Sequence, residues 1–353
     1  MVSSLDDPKR WAELDPQNMR SLLSAFPKQI REAWHLVQGL ELKVDFPIAS
    51  VLVSGLGGSA IGGDVVRTVT AEVLRVPLLV IRDYGLPQFV NSKTVVFACS
   101  YSGNTEETLS SYEQARQAGA FIVCISSGGA LAERARAGGF PLIRIPAGMP
   151  PRTALGYSAI ALLGSLHAIG LVSDIRESVE ETAELLSSLV LRYAAAVPEQ
   201  SNKAKTIARG LHGKIVAIYA SSGRLEAAAV RWRGQMEENG KNLAFHHLLP
   251  EMDHNELVGW RYPEDALKKA GVVFLRDPED HPQVQRRFDF TREMVAESAG
   301  VTFEVWSEGK SLLARIFSLI CLGDFVSLYL AHLNSVDPTP VDAIELLKQK
   351  LRA

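Results

Sequence analysis

Cysteine is scarce in this chain. Cys99, Cys124 and Cys321 are its only three in 353 residues, none lies in a CxxC pair, and the odd count argues against a disulfide framework. They read as small buried residues. A basic excess is also missing: 37 Lys and Arg stand against 40 Asp and Glu, a net charge of -3. That balance lacks the positive field needed to hold a nucleic-acid backbone, although a small anion needs only local positive potential. No basic start followed by an apolar stretch opens the sequence. The segment MVSSLDDPKRWAELD is polar and acidic, so no export signal and a cytoplasmic location are expected. Long apolar runs are few, and the longest, Ile316 to Leu333, contains Gly323, Asp324 and His332, which predicts a buried core helix and no membrane span. What remains is ordinary globular composition, 47% hydrophobic and 22% charged, with length enough for two domains.

From Ala49 the chain alternates between β and α. An apolar strand (SVLVSG), a glycine-rich turn and a helix are followed by strands at Pro77 to Arg82 and Thr94 to Ser100, a helix from Asn104, a strand at Ala120 to Ser126, another helix and a strand near Pro141 to Ile145. This pattern predicts a parallel sheet covered on both faces. After a helical stretch, Val179 to Ser201, the outline repeats: strand Lys214 to Tyr219, glycine turn, helix, strands Asn242 to Leu248 and Val272 to Arg276, helix Gln283 to Ser298, strand Val301 to Trp306, and a long apolar helix from Ser311. Two related α/β domains are expected, residues 1–180 and 181–353, with the boundary between Leu171 and Asn202 and the first 45 residues packed as helices on the first domain.

The segment Ser100-Tyr101-Ser102-Gly103-Asn104-Thr105-Glu106-Glu107 follows an apolar strand and opens a helix, so its hydroxyls and free backbone N–H groups should converge at one helix N-terminus. Such a place suits an anion even without a lysine or arginine, and Gly103 permits close backbone approach. An ordinary cap, Asn104 with Glu107 three residues on, accounts for the same residues equally well. The turn Gly55 to Gly63 also follows a strand and opens a helix, but no acidic residue ends the next strand in the ribose-binding manner; Asp83, after Arg82, fits only loosely. No nicotinamide cofactor is therefore expected. Gly57, Gly58 and Ser59 are instead candidate backbone and hydroxyl contacts to a phosphorylated sugar, beside Ser100, Ser102 and Thr105.

At these two motifs the sequence resembles the SIS (sugar isomerase) domain, whose phosphate loop reads Ser-x-Ser-Gly-x-Thr, here Ser100 to Thr105. Further motifs are similar to those of the bifunctional phosphoglucose/phosphomannose isomerase family: Pro151-Arg152, the run Glu238-Asn239-Gly240-Lys241, the pair His254-Asn255, and Asp337-Pro338-Thr339-Pro340. The resemblance implies two SIS-type three-layer α/β/α sandwich domains with mainly parallel sheets. It also implies a metal-independent aldose–ketose isomerase that interconverts glucose 6-phosphate or mannose 6-phosphate with fructose 6-phosphate through a cis-enediol. On this resemblance Glu238 shuttles the proton, His254 helps open the sugar ring, and Arg152 stabilises the enediolate. Thr339 and Lys348 would line the far side of the sugar. A homodimer is implied, with His254 reaching into the partner subunit's site, and neither metal nor other cofactor, nucleic acid nor membrane is expected.

The chemistry independently asks for a group that removes a carbon-bound proton and returns it to the neighbouring carbon, plus an acid/base at the ring oxygen. A carboxylate in a partly dry pocket and a histidine suit those tasks. Glu237 rivals Glu238, since adjacent helical residues point about 100° apart and only one should enter a pocket. A surface salt bridge is the alternative for Arg152, and a solvated position on an amphipathic terminal helix the alternative for Lys348. His246, His247, Glu251 and His254 could also suggest zinc, but strand alternation sends His246 and His247 to opposite faces. A non-catalytic sugar-phosphate sensor would keep Ser100, Ser102 and Thr105 without needing Glu238 or His254. No helix-turn-helix DNA reader is evident beside them, nor is the glutamine-hydrolysing domain that a ketosugar aminotransferase would bring.

Overall fold

The computed structural model describes residues 4–352, which gather into two compact units. One comprises Ala25–Ser187 with Glu308–Ser318; the other comprises the described residues up to Ser24, Ser188–Ser307, and those from Leu319 onward.

The first unit is built on five parallel strands: β1 (Ser50–Ser54), β2 (Leu78–Ile81), β3 (Thr94–Cys99), β4 (Phe121–Ser126) and β5 (Leu142–Arg144). Their order is β2-β1-β3-β4-β5. Every residue of β1 and of β3 is buried, as near-continuous apolar runs require when both faces of a parallel sheet are covered. Alternation then divides the side chains. Leu52, Val96, Ala98, Ile122 and Cys124 pack with Tyr112, Ala115, Leu131 and Ala135 from the helices Glu106–Gln117 and Gly129–Gly138. On the opposite face Val53 meets Gly63 of the helix Gly57–Thr70, where an added Cβ would stand 2.9 Å from the valine methyl.

The second unit repeats the topology with β6 (Ile215–Ser221), β7 (Ala244–Leu249), β8 (Ala270–Arg276) and β9 (Val301–Trp306), again parallel, in order β7-β6-β8-β9. Tyr219, Val272 and Phe274 pack with Phe288 and Val295 of the helix Pro282–Ala296. The helix Glu226–Glu238 follows β6 and buries Ala227, Ala228 and Trp232. Two of the three interruptions in the long apolar run are explained here. Gly323 admits the Trp232 indole, which a Cβ would meet at 2.4 Å, and Asp324 forms a two-pronged ion pair with buried Arg231 at 2.9 Å. The helix that carries them, Leu312–Leu333, is long and apolar enough to cross a membrane, yet 94% of its apolar window is buried inside the protein.

In each sheet the strand order reverses at the first strand, between β1 and β3 and between β6 and β8. Such reversals open a crevice at the carboxyl ends of the strands, where α/β proteins bind ligands.

Candidate active site

At the first reversal two helices begin side by side. The helix Gly57–Thr70 starts at the end of β1 and the helix Glu106–Gln117 a short loop after β3, and neither has a side-chain cap. Two helix N-termini whose first N–H groups lack side-chain acceptors offer donors to an anion without a single lysine, while Glu106 and Glu107 in the first turn of the second helix carry charge that faces Tyr84. Asn104 does not cap its own helix: its Oδ1 accepts instead from Ala130 N of the next helix, at 3.0 Å. Between the capping and anion explanations of this loop, the structure thus removes the Asn104 cap.

The hydroxyls are organised around this end. Ser100, buried at the end of β3, lies 2.9 Å from Thr105 Oγ1 and accepts from Gly103 N at 3.1 Å, while Ser102 is exposed and accepts from Asn104 N at 3.2 Å. Ser59 Oγ accepts from Tyr101 N at 3.3 Å, which joins the glycine turn to the loop. Gly103 is required twice over. Its φ is +71°, and a Cβ there would lie 1.8 Å from the carbonyl oxygen of Gly128. At Gly58 a Cβ would lie 2.9 Å from Pro151 O and 3.4 Å from Arg152 Cα, so the turn and the Pro151-Arg152 segment touch backbone to backbone. Arg152 is 4% exposed, which removes the surface salt bridge as its explanation. Gly57, Gly58, Ser59, Ser100, Ser102, Thr105 and Arg152 thus occupy one end of one unit. Beneath them a cavity of about 10 Å³, lined in part by Ser59, Cys99 and Tyr101, has room for about one water.

In the second unit Glu238 is the last residue of the helix Glu226–Glu238 and is half-buried. The chain turns away through Asn239, which donates to Ser327 Oγ at 3.0 Å, Gly240, whose carbonyl accepts from Asn334 Nδ2 at 2.8 Å, and Lys241, in a left-handed conformation (φ 51°). Lys241 Nζ donates to the carbonyls of Glu238 and of Pro338, the latter at 3.1 Å, so one ammonium ties the helix end to the Asp337–Pro340 segment. Thr339, 9% exposed, is brought to this corner, where its N–H is taken by Asp337 at 2.8 Å. Glu237 instead faces Arg233, 3.9 Å away on the same helix. Partial loss of hydration raises the Glu237 carboxyl from its ordinary range, Arg233 pulls it down, and the neighbouring Glu238 pushes it up. Lys348 lies on the helix Asp342–Arg352, whose residues from Asp342 to Leu351 are all exposed.

His254 stands elsewhere. β7 ends at Leu249 and enters a 3₁₀ turn, Glu251–His254, on which His254 is exposed. Asn242 Nδ2 donates to Lys214 O, which places the segment after Glu238 at the beginning of β6, whereas Leu249 O accepts from Ser222 N at the end of β6. Glu238 and His254 therefore lie at opposite ends of one sheet, separated by the six residues of β7, or roughly 20 Å at about 3.3 Å per residue.

His246 and His247 do point to opposite faces. His247 Nδ1 lies 2.6 Å from Glu256 Oε2, while His246 senses Arg233 and Glu226 of the helix on the other side. Burial first, then Arg233, lower the His246 pKa, with Glu226 opposing them. Among the described residues no group of three or more His, Cys, Asp or Glu is arranged to hold a metal ion. Two structural partners were not singled out by the sequence, Lys241 and Glu256, although Lys241 ends one of the quoted motifs and Glu256 directly follows another.

Comparison with known proteins adds kinship to this geometry. Residues 200–351 match the family model for the bacterial phospho-glucose isomerase C-terminal SIS domain. The chain is 45% identical over 326 residues to a bifunctional phosphoglucose/phosphomannose isomerase of Caldicellulosiruptor bescii, covering 92% of this chain and 96% of the relative. It is 37% identical over 308 residues to the protein of the same description from Aquifex aeolicus, covering 87% and 91%. Among solved structures, a glucose-6-phosphate isomerase like protein from Thermus thermophilus superposes with a TM-score of 0.64 at 17% identity over 99% of both chains, a likeness of fold. The expected α/β architecture of two parallel sheets covered by helices is thereby established.

Proposed function

Because the chain belongs to the bifunctional phosphoglucose/phosphomannose isomerase family, we propose that it interconverts glucose 6-phosphate and mannose 6-phosphate with fructose 6-phosphate by proton transfer through a cis-enediol, without a metal. The observation that carries this reading is the crevice at β1 and β3. There two helix N-termini without side-chain caps meet the hydroxyls of Ser59, Ser100, Ser102 and Thr105. Backbone N–H groups and hydroxyls of this kind suit a dianionic phosphate monoester.

Glu238 is the proposed base. Its helix-end position, the Lys241 tie to Pro338 and the nearness of Thr339 support it over Glu237, which is engaged with Arg233 on the helix surface. A base takes the proton from C2 of the aldose and returns it at C1, and the developing enediolate calls for a preorganised cation. Arg152, buried beside the glycine turn, is proposed for that charge. Thr339 and Lys348 are proposed to line the sugar, Lys348 once substrate draws its exposed side chain inward.

Opening the ring is assigned to His254. A separation of roughly 20 Å, the length of a six-residue strand, exceeds what one hexose phosphate spans, so Glu238 and His254 of one chain do not act on the same molecule. A homodimer in which each His254 serves the other subunit's site satisfies both roles. Exposed Val258 (81%) and Tyr262 (66%), in the segment after His254, offer apolar surface for such a contact.

The test is turnover of each hexose 6-phosphate by purified protein with EDTA present. Activity on both aldoses, reduced on the order of 10²- to 10⁴-fold in Glu238→Gln and retained in Glu237→Gln, is the expected result. Activity that vanishes in EDTA and returns with zinc, or phosphate binding without turnover, would overturn it.

A further inference from the structure

Among the described residues the exposed His254 has no carboxylate hydrogen-bonded to its ring, yet the turn that presents it is held by a buried-ended hydrogen-bond chain. Glu256, two residues on, uses both oxygens. Oε1 accepts from Tyr219 OH and Oε2 lies 2.6 Å from His247 Nδ1. Tyr219 sits on the inner strand β6 and is 1% exposed; its phenol also accepts from Trp260 Nε1 at 2.9 Å. One carboxylate thus links the strand that leads into the turn (His247 of β7), the neighbouring inner strand (Tyr219 of β6) and, through Tyr219, the segment that leaves it (Trp260). On the other flank Asp253 is gripped by Arg287 Nη1 at 3.1 Å and Thr291 Oγ1 at 3.0 Å, and Met252 is fully buried. Asn255, between His254 and Glu256, caps the short helix Glu256–Gly259 by accepting from Glu256 N at 2.6 Å.

From this arrangement we infer that Glu256 is a positioning residue for His254, a role that rests on the assignment of ring opening to His254. Among the described residues of its own chain no side chain is hydrogen-bonded to the exposed His254 ring, so its aim is set by the backbone of the turn. The turn is fixed by its two flanks. Asp253 is tied to the helix Pro282–Ala296, whereas Glu256 is tied directly to two strands of the sheet, which makes Glu256 the anchor that joins the turn to the sheet. Burial and the Glu256 carboxylate both keep Tyr219 protonated, so its hydroxyl remains a donor. Loss of the carboxylate frees the His254 turn to drift, and misplacement of about 1 Å can lower a rate on the order of 10²-fold without any change in the groups that touch substrate.

Ring opening can be isolated by following exchange between the α and β anomers of glucose 6-phosphate by NMR in a Glu238→Gln background, where proton transfer at carbon is silenced. His254→Gln added to that background should slow catalysed anomer exchange at least about tenfold. Glu256→Ala should slow it comparably, Glu256→Gln and Tyr219→Phe less, and Glu256→Ala should add little when His254 is already Gln, since groups that act as a unit are non-additive. A general loss of structure would instead multiply with the His254 change and lower the urea midpoint of Tyr219→Phe and Glu256→Gln in proportion. Anomer exchange that stays fast in the Glu256 and Tyr219 variants while His254→Gln abolishes it would overturn the positioning role and leave the isomerase assignment standing. Fast exchange in the His254 variant with loss in His247→Gln would move ring opening to His247, with Glu256 as its direct partner, and would overturn both the positioning role and the His254 assignment.

Discussion

Replacing Gly103 by alanine is the sharpest perturbation of the phosphate crevice, because its cost separates into two parts that a second glycine isolates. Gly103 has φ +71° and Gly139 has φ +69°, so alanine meets a similar left-handed penalty at either, about 1–2 kcal/mol. At Gly139, the residue that ends the helix Gly129–Gly138, a Cβ meets nothing within 4 Å. At Gly103 it would stand 1.8 Å from Gly128 O, a backbone atom that cannot rotate away. The loop must retreat, and three hydrogen bonds lie in its path: Leu131 N to Gly103 O at 2.9 Å, Gly103 N to Ser100 Oγ at 3.1 Å, and Ala130 N to Asn104 Oδ1 at 3.0 Å. At about 1 kcal/mol each, their loss brings Gly103→Ala to roughly 4–5 kcal/mol, against about 1–2 for Gly139→Ala. Urea unfolding of both variants, followed by tryptophan fluorescence and circular dichroism, measures the difference. The same retreat moves Ser100 and Thr105, so KM for hexose 6-phosphate should rise at least about tenfold in any Gly103→Ala protein that folds, equivalent to ~1.4 kcal/mol of binding. Equal destabilisation by the two substitutions, or an unaltered KM, would refute the claim that the loop is pressed into place against Gly128.

Three further outcomes follow from the same structure. Mixing Glu238→Gln and His254→Gln proteins and allowing subunits to exchange should restore about a quarter of wild-type activity, since half the dimers are mixed and each carries one intact site; a mixture as inactive as its parents would argue against the shared site. Arg231→Met removes the two-pronged partner of the buried Asp324 carboxylate and should cost about 3–5 kcal/mol, with much of it recovered when Asp324→Leu is added, as measured by urea unfolding of the single and double variants. His332 is held below its ordinary 6.5 by burial first, with Arg10 and Lys205 adding to the shift and the Ser4 carbonyl opposing it. A histidine depressed in the folded state takes its proton more readily unfolded, so its contribution is whole above about pH 6.5 and is lost as pH falls through its folded value. Between roughly pH 7 and 5 the urea midpoint should therefore fall less in His332→Gln than in the wild type.

Much of the fold was legible because parallel strands covered on both faces must be apolar runs, and β1, β3, β4 and β8 are such runs. The glycine turn and the Ser100–Thr105 loop were legible because helix starts at strand ends leave a local signature. The helix Lys203–Leu211 lay outside the expected helical stretch; its start is marked by Asn202, whose Oδ1 accepts from Ala204 and Lys205 N–H, a signal one residue long. Asn104 had the look of a cap and turned out to serve a neighbouring helix, a long-range contact that local spacing does not encode. The burial of Arg152 was likewise hidden, since it depends on tertiary packing such as the backbone contact of Pro151-Arg152 with Gly58, which local spacing does not encode. For the same reason sequence placed Glu238 and His254 sixteen positions apart without revealing that a whole strand intervenes. Lys348 had two explanations in sequence, and its exposed helix leaves the proposed sugar contact to be made by substrate binding.

Proton transfer by Glu238 is the central step, and solvent isotope uptake reads it directly. Purified protein incubated with fructose 6-phosphate or glucose 6-phosphate in deuterated water should place deuterium at C2 of the aldose during turnover. Glu238→Gln should abolish that uptake while still binding phosphate in the crevice, and Glu237→Gln should leave it near the wild-type rate. Deuterium uptake that persists unchanged in Glu238→Gln, or that disappears only in Glu237→Gln, would contradict the assignment of the base.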